Sequence, residues 1–310
     1  MNSAIIDMGS NTVRLCVFYF RDGKPETLFS RKETVGLAGY VRDGELAPDG
    51  IRQVCETLKD FKNLALKFVP EDRVHVVATA SLRNISNADC ARDTILSETG
   101  LLPEVLSGEE EARLDFVGVS HAMELSDGFI IDVGGASTEL IRFKEGRPER
   151  KAGLPAGCLA LYSKHVRGPF ASKSEKKSMR REIRAVFDEF DWSGAQCPVL
   201  IGVGGSARTA LRLSNALLAP GPRDDTFPAE NLRVLRKMFE NGNPETFRAL
   251  YKIAPDRVLT IHPGLLILEE AARRLLCAEI RISKYGVREG FYIDRILKLS
   301  EGSTACQSPT

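Results

Sequence analysis

Two apolar strands each run into a glycine hairpin that begins with aspartate, and this pair constrains the chain more than any other feature. They read Ile5-Ile6-Asp7-Met8-Gly9-Ser10-Asn11-Thr12 and Ile130-Ile131-Asp132-Val133-Gly134-Gly135-Ala136-Ser137-Thr138. Glycine permits a tight hairpin, which points backbone N–H groups and small hydroxyls at whatever lies between the strands, and such concavities hold phosphate. One Asp-x-Gly alone is an ordinary turn. Two of them, 125 positions apart from Asp7 to Asp132, imply a duplicated domain with a phosphate hairpin on each wall of a central cleft.

A length of 310 residues exceeds what one compact core usually occupies, so two domains of about 150 residues are expected. The net charge of +1 gives no overall footprint for nucleic acid, and an anionic ligand has to be gripped locally. The seven cysteines are scattered and form no C-x-x-C pair, which argues against zinc and a disulfide framework and fits a reducing cytoplasm. The amino terminus has no basic n-region, and Asp7 and Arg14 break its apolar stretch. Neither a signal peptide nor a membrane span is expected from it.

Strands are expected at 4–6, 13–20 and 26–31, the last two joined by a turn at Arg21-Asp22-Gly23-Lys24. Pro48 opens an amphipathic helix with Ile51, Val54, Leu58, Phe61 and Leu64 on one face. A strand at 73–78, a helix at 87–98, a strand at 103–106 and a helix from Ser107 to about Met123 follow. The pattern then restarts: 129–132 repeats the opening strand, 137–143 its partner, and Lys144-Glu145-Gly146-Arg147 the turn. Beyond it a helix is expected at 175–190, a strand at 199–203, and mostly helices to about Leu299. This gives domains at 1–124 and 125–300, with the last helix free to pack back on the first, and a polar tail at 301–310 expected to be disordered.

Five constellations carry chemistry. The first hairpin offers Ser10, Asn11 and Arg14. In the second, Gly134, Gly135, Ser137 and Thr138 present donors to phosphate, while Asp132 and Glu139 offer two carboxylates to a divalent cation. In Ser107-Gly108-Glu109-Glu110-Glu111, Ser107 as N-cap puts Glu110 where it closes a capping box onto the Ser107 N–H. Glu109 then complements the helix dipole, and Glu111 is either functional or a third dipole partner. In the small-residue loop Ala78 to Asn84, leading to a helix capped near Ser86, Arg83 serves a phosphate or a surface ion pair. The turn Gly202 to Thr209 lacks the Walker lysine and the dinucleotide spacing. Gly204, Gly205 and Ser206 still expose a helix N-terminus to an anion, unless the glycines serve only close packing. The four histidines stand apart and make no metal set. The basic run from Lys173 to Arg184 is either a solvated helix face or a polyanion track.

In order, D-x-G-S-N-x-x-R at 7–14, 78–83, S-G-x-E-E-A-R at 107–113, D-x-G-G-x-S-T-E-L at 132–140, the glycine turn at 202–206 and Tyr285-Gly286-Val287-Arg288-Glu289-Gly290 resemble the exopolyphosphatase and guanosine pentaphosphate phosphohydrolase family over about residues 4–295. The resemblance implies an α/β chain of the actin-like ATPase fold, with two ribonuclease-H-like domains around a central cleft. It implies hydrolysis of terminal phosphoanhydride bonds with Mg2+ or Mn2+. Glu111 matches the catalytic glutamate, Arg83, Asn11, Arg14 and Ser137 match phosphate contacts, and Asp132 with Glu139 match the acidic groups near the metal. Ala136 departs from the pattern, standing where the family usually has a third glycine. The chain matches the short two-domain form, and limited action on long chains is expected from that.

The resulting expectation is a cytoplasmic metal-dependent phosphohydrolase with polyphosphate or guanosine pentaphosphate as substrate. No nucleic-acid or membrane partner is expected, and homodimerisation stays open. The alternatives are a non-catalytic alarmone- or polyphosphate-binding regulator of the same fold, and an actin-fold kinase, for which no acceptor pocket is legible.

Overall fold

The computed structural model describes residues 2–22, 24–190, 196–218 and 224–297. Gly23 in the first hairpin turn and the tail at 301–310 lie outside them. The chain divides into two compact units: Met1–Ala122 together with the segment from Tyr285 onward, and Met123–Lys284.

In the first unit β1 (Ser3–Met8), β2 (Thr12–Arg21) and β3 (Lys24–Thr34) form an antiparallel meander. A separate ribbon of β4 (Val41–Arg42) and β5 (Glu45–Leu46) leads into α1 (Pro48–Ala65), where proline occupies the first turn, a position that needs no N–H bond. Then come β6 (Val74–Ala78), α2 (Ala80–Arg83), α3 (Ala88–Thr99), β7 (Glu104–Val105) and α4 (Gly108–Ala122). The sheet order is β3-β2-β1-β6-β7, with β6 and β7 parallel to β1. Alternation along β1 feeds two cores. Ala4, Ile6 and Met8 join the α1 residues Val54, Leu58 and Phe61 on one side; Ile5 joins Phe18, Leu114, Phe291 and Tyr292 on the other.

Helix α4 is seated by the short helix Val287–Phe291. A β-carbon at Gly118 would lie 2.4 Å from the Gly286 carbonyl oxygen, and one at Gly290 would lie 1.9 Å from that of Leu114. Two glycines therefore let the backbones meet, which gives the Tyr285 to Gly290 segment a packing role. The loop expected at 78–84 instead contains the helical turn α2, and Ser86 does not cap the next helix. Its hydroxyl donates to the Gly44 carbonyl, while Asn87, the residue preceding α3, bonds the Leu46 backbone with both side-chain atoms.

The second unit repeats the plan with β8 (Gly128–Val133), β9 (Thr138–Lys144), β10 (Arg147–Leu154), α5 (Cys158–His165), α6 (Lys173–Asp188), β11 (Val199–Val203) and α7 (Gly204–Leu217). It continues through β12 (Thr226–Pro228), α8 (Glu230–Glu240), α9 (Pro244–Ile253), α10 (Ile261–Arg274) and β13 (Glu279–Ile282). The order is β10-β9-β8-β11-β13-β12, the arrangement of the first sheet with one antiparallel edge strand added. The described residues after 203 are mostly helical, as expected; strands β12 and β13 are additions, because three or four residues carry too little alternation to be read without a pairing partner. Each sheet has the ribonuclease-H-like order, and the chain has the actin-like ATPase fold.

Two cations of α6 stand against carboxylates, which corrects a purely solvated reading of that face. Arg180 pairs with Glu240, and Arg184 stands 3.9 Å from Glu270. Burial pushes the Glu240 carboxyl up, but the His262 hydrogen bond and the charges of Arg236 and Arg180 outweigh it and bring it to about 2. A carboxylate with a depressed folded pKa stabilises the fold above its unfolded value of 4.5, and that contribution is lost as pH falls toward 2. Glu240→Gln is expected to cost on the order of 3 kcal/mol at pH 7. Denaturant titrations at a series of pH values check it: the gap to wild type closes below pH 4.5, and a gap constant into strong acid rejects the assignment.

Candidate active site

Both hairpins close with the same bond at equivalent positions. The Gly9 N–H donates to Thr12 O at 3.0 Å, and the Gly134 N–H to Ser137 O at 3.0 Å. The strand registers match too, pairing Met8 with Val13 and Val133 with Thr138. One position breaks the symmetry. Opposite Asp7 stands Arg14, whereas opposite Asp132 stands Glu139. Directly opposed residues share a sheet face, so the first hairpin sets a cation beside its aspartate and the second sets two carboxylates together.

In the first unit the hairpin follows β1, α2 follows β6 and α4 follows β7, so all three stand at the carboxyl ends of parallel strands. Ser81 Oγ donates to Met8 O, tying α2 to the hairpin strand. Arg83 Nη1 donates to Leu106 O and, at 2.8 Å, to Glu111 Oε2. Thus the structure brings Arg83 and Glu111 together, and Glu111 is 8% exposed in the first turn of α4. Ser10 is buried and Asn11 partly so; their carbonyls accept from Ala38 and Gly36. Burial pushes the Asp7 carboxyl above the ordinary carboxylate range, and the Arg288 and Arg14 guanidiniums pull it partly back. Arg288 Nη1 lies 3.8 Å from Asp7 Oδ2.

The capping box expected at Ser107 is half present. The Glu110 N–H donates to Ser107 Oγ at 3.1 Å, but the Glu110 carboxylate goes to Arg113 and Arg295 rather than back to the Ser107 N–H. Two guanidiniums are stronger partners than one amide.

In the second unit the hairpin follows β8 and the N-terminus of α7 follows β11, with Asp132 paired in register to Val203. Gly204 has φ +75°, and a β-carbon there would lie 2.1 Å from Asp132 Oδ1. The Asp132 carboxylate therefore sits against the start of α7. The hairpin itself is anchored by α5, whose Cys158 N–H donates to Gly134 O and whose Leu159 and Ala160 N–H groups donate to Gly135 O. Ser137 Oγ donates to Glu139 Oε1 at 2.6 Å, and Glu139 is buried.

Two expected phosphate contacts are corrected at the side-chain level. Thr138 is fully buried, and its hydroxyl donates to Ala156 O at 2.6 Å. Ser206 is fully buried as well, its hydroxyl donating to Val133 O and accepting from Arg257. Both hydroxyls satisfy the interior instead of a ligand. Arg257 is the residue the sequence reading missed: a β-carbon at Gly205 would meet its Nη2 at 1.8 Å, so a guanidinium lies over the α7 N-terminus. No local motif marks it, since Pro255-Asp256-Arg257 is a single 3-10 turn.

Among the described residues no three His, Cys, Asp or Glu side chains cluster as a metal cage. The Asp132–Glu139 pair nonetheless fits Mg2+ or Mn2+, hard cations held by one or two carboxylates and completed by water and phosphate oxygens. No helix of the described residues is long and apolar enough to cross a membrane.

Residues 16–299 match the model of the Ppx/GppA phosphatase family. The Aquifex aeolicus member of that family is 24% identical, with 99% of each chain covered and a TM-score of 0.74. An exopolyphosphatase from Cytophaga hutchinsonii is 24% identical over 97% of this chain and 98% of its own, with a TM-score of 0.82. With the family model spanning nearly the whole chain and the hairpins, Arg83 and Glu111 at the strand ends, this chain belongs to the Ppx/GppA phosphatase family.

Proposed function

We propose that this phosphatase releases terminal orthophosphate from inorganic polyphosphate or guanosine pentaphosphate, with Glu111 as the base that activates water. The observation that carries the reading is the Glu111–Arg83 contact at the strand ends of the first unit. A phosphate held by Arg83 is brought beside the carboxylate. Glu111 takes a proton as water attacks the terminal phosphorus, and the bond to the bridging oxygen breaks. Ser10, Asn11 and Arg14 bind further phosphate oxygens from the first hairpin. Gly134, Gly135 and the N-terminus of α7 at Gly204 and Gly205, with Arg257 over it, supply the anion-binding groups of the second unit. Asp132 and Glu139 would hold a divalent cation, whose chemistry is to offset the charge of the phosphate oxygens. The name of the Cytophaga relative favours polyphosphate as substrate. A phosphate-release panel with short and long polyphosphate, guanosine pentaphosphate and ATP, each with Mg2+ and Mn2+, tests the reading. Binding without release turns it toward a regulator.

The register difference predicts a metal phenotype. Asp132→Asn is expected to raise the Mg2+ concentration needed for half-maximal activity by about tenfold or more, and Asp7→Asn to leave it nearly unchanged, because two carboxylates attract a hard cation better than one beside an arginine. Metal titrations of both variants check this, and equal shifts count against it.

A further inference from the structure

A groove of about 630 Å³ in the second unit plays no part in the phosphate chemistry above. Its size and apolar lining are those of a small-molecule site. One wall is an aromatic ladder, with Phe170 edge-on to Phe247 at 5.0 Å and Phe247 edge-on to Phe239 at 5.4 Å. Phe170 and Tyr251 stand 58% and 71% exposed on its rim, where large apolar groups are costly to leave in water.

The polar end decides what kind of occupant fits. Glu240 lines it, but its carboxylate is engaged by Arg180, Arg236 and His262 and is not offered to a cationic guest. Lys176 is the sole Lys or Arg among the described lining residues. It makes one hydrogen bond, from Nζ to Glu240 O at 3.1 Å, and an ammonium has three donors. Around this end Lys176, Arg180 and Arg236 face Glu240 and Glu269, which leaves one positive charge in excess.

We propose that the groove binds a single-chain monocarboxylate of the fatty-acid class, with its chain along the aromatic ladder and its head on Lys176. One unmatched cation beside an apolar trough suits one anionic head. An acidic amphipathic helix would call for several cations along the groove wall.

Calorimetric titration of the full chain with dodecanoate, and with dodecylammonium as the charge-reversed probe, both below their micelle concentrations, tests it. One dodecanoate is expected per chain, bound at least tenfold more tightly than dodecylammonium. Lys176→Met should remove that preference, Lys176→Arg should keep it, and Tyr251→Ser on the exposed rim should weaken both probes. Circular dichroism establishes that each variant is folded. Equal affinity for the two probes, dodecanoate binding indifferent to both Lys176→Met and Tyr251→Ser, or saturation by an acidic helical peptide but not by dodecanoate would each overturn the proposal.

Discussion

Glu111→Gln is expected to lower phosphate release by about a thousandfold while the protein stays folded. Glutamine keeps the size of the side chain and a carbonyl oxygen for Arg83, but it cannot take the proton of the attacking water. Its neighbour should behave in the opposite way. Glu110 bridges Arg113 and Arg295, and the Arg113 hydrogen bond, then its charge and that of Arg295, hold the carboxyl below its ordinary range against burial. Arg113 also reaches Asp294, so Glu110 belongs to a network that ties α4 to the end of the chain's last described segment. Glu110→Gln should therefore cost about 1 kcal/mol of stability and leave turnover per folded molecule unchanged. Phosphate release and thermal denaturation on both variants separate the roles. Turnover that survives Glu111→Gln and collapses for Glu110→Gln would reverse them.

The parts of this site that were legible in the sequence are those whose geometry is local. An apolar strand, a glycine turn and a second strand determine one another over a dozen residues, so both hairpins and their 125-residue repeat could be read directly. Helix α1 was legible for the same reason, since Pro48 and the apolar stripe lie within one element. What was not legible depends on partners far along the chain. Glu110 looked like a capping residue because Ser107 is three positions away, but its carboxylate is shared between Arg113, three positions further on, and Arg295, 185 positions away. Thr138 and Ser206 looked like donors because small hydroxyls follow glycines. Their burial depends on what packs behind the turn, Ala156 O in one case and Val133 O in the other. Arg257 reaches Gly205 from more than fifty positions further along the sequence, and no spacing rule connects the two. The proposed cation pair is intermediate: Asp132 and Glu139 were both candidates on sequence, but only the strand register sets them opposite each other and sets Arg14 opposite Asp7.

Gly204→Ala should damage both folding and metal dependence in the second unit. Gly204 has φ +75°, a conformation in which an alanine β-carbon crowds the backbone and costs about 1–2 kcal/mol. The same β-carbon would lie 2.1 Å from Asp132 Oδ1, closer than any contact permits, so the carboxylate has to move. The cost therefore falls on chemistry as well as on folding. If Asp132 holds the cation, displacing it should lower phosphate release by about a hundredfold and raise the Mg2+ requirement, as loss of a group that positions a metal ligand does. Gly39→Ala is the control, because a β-carbon there meets nothing within 4 Å and φ is not positive; its stability should stay within about 0.5 kcal/mol of wild type. Metal titrations at a temperature where both variants are folded decide between the two consequences. A Gly204→Ala protein that is less stable but keeps the wild-type Mg2+ dependence would mean that Asp132 shapes the start of α7 and that the ion is held elsewhere.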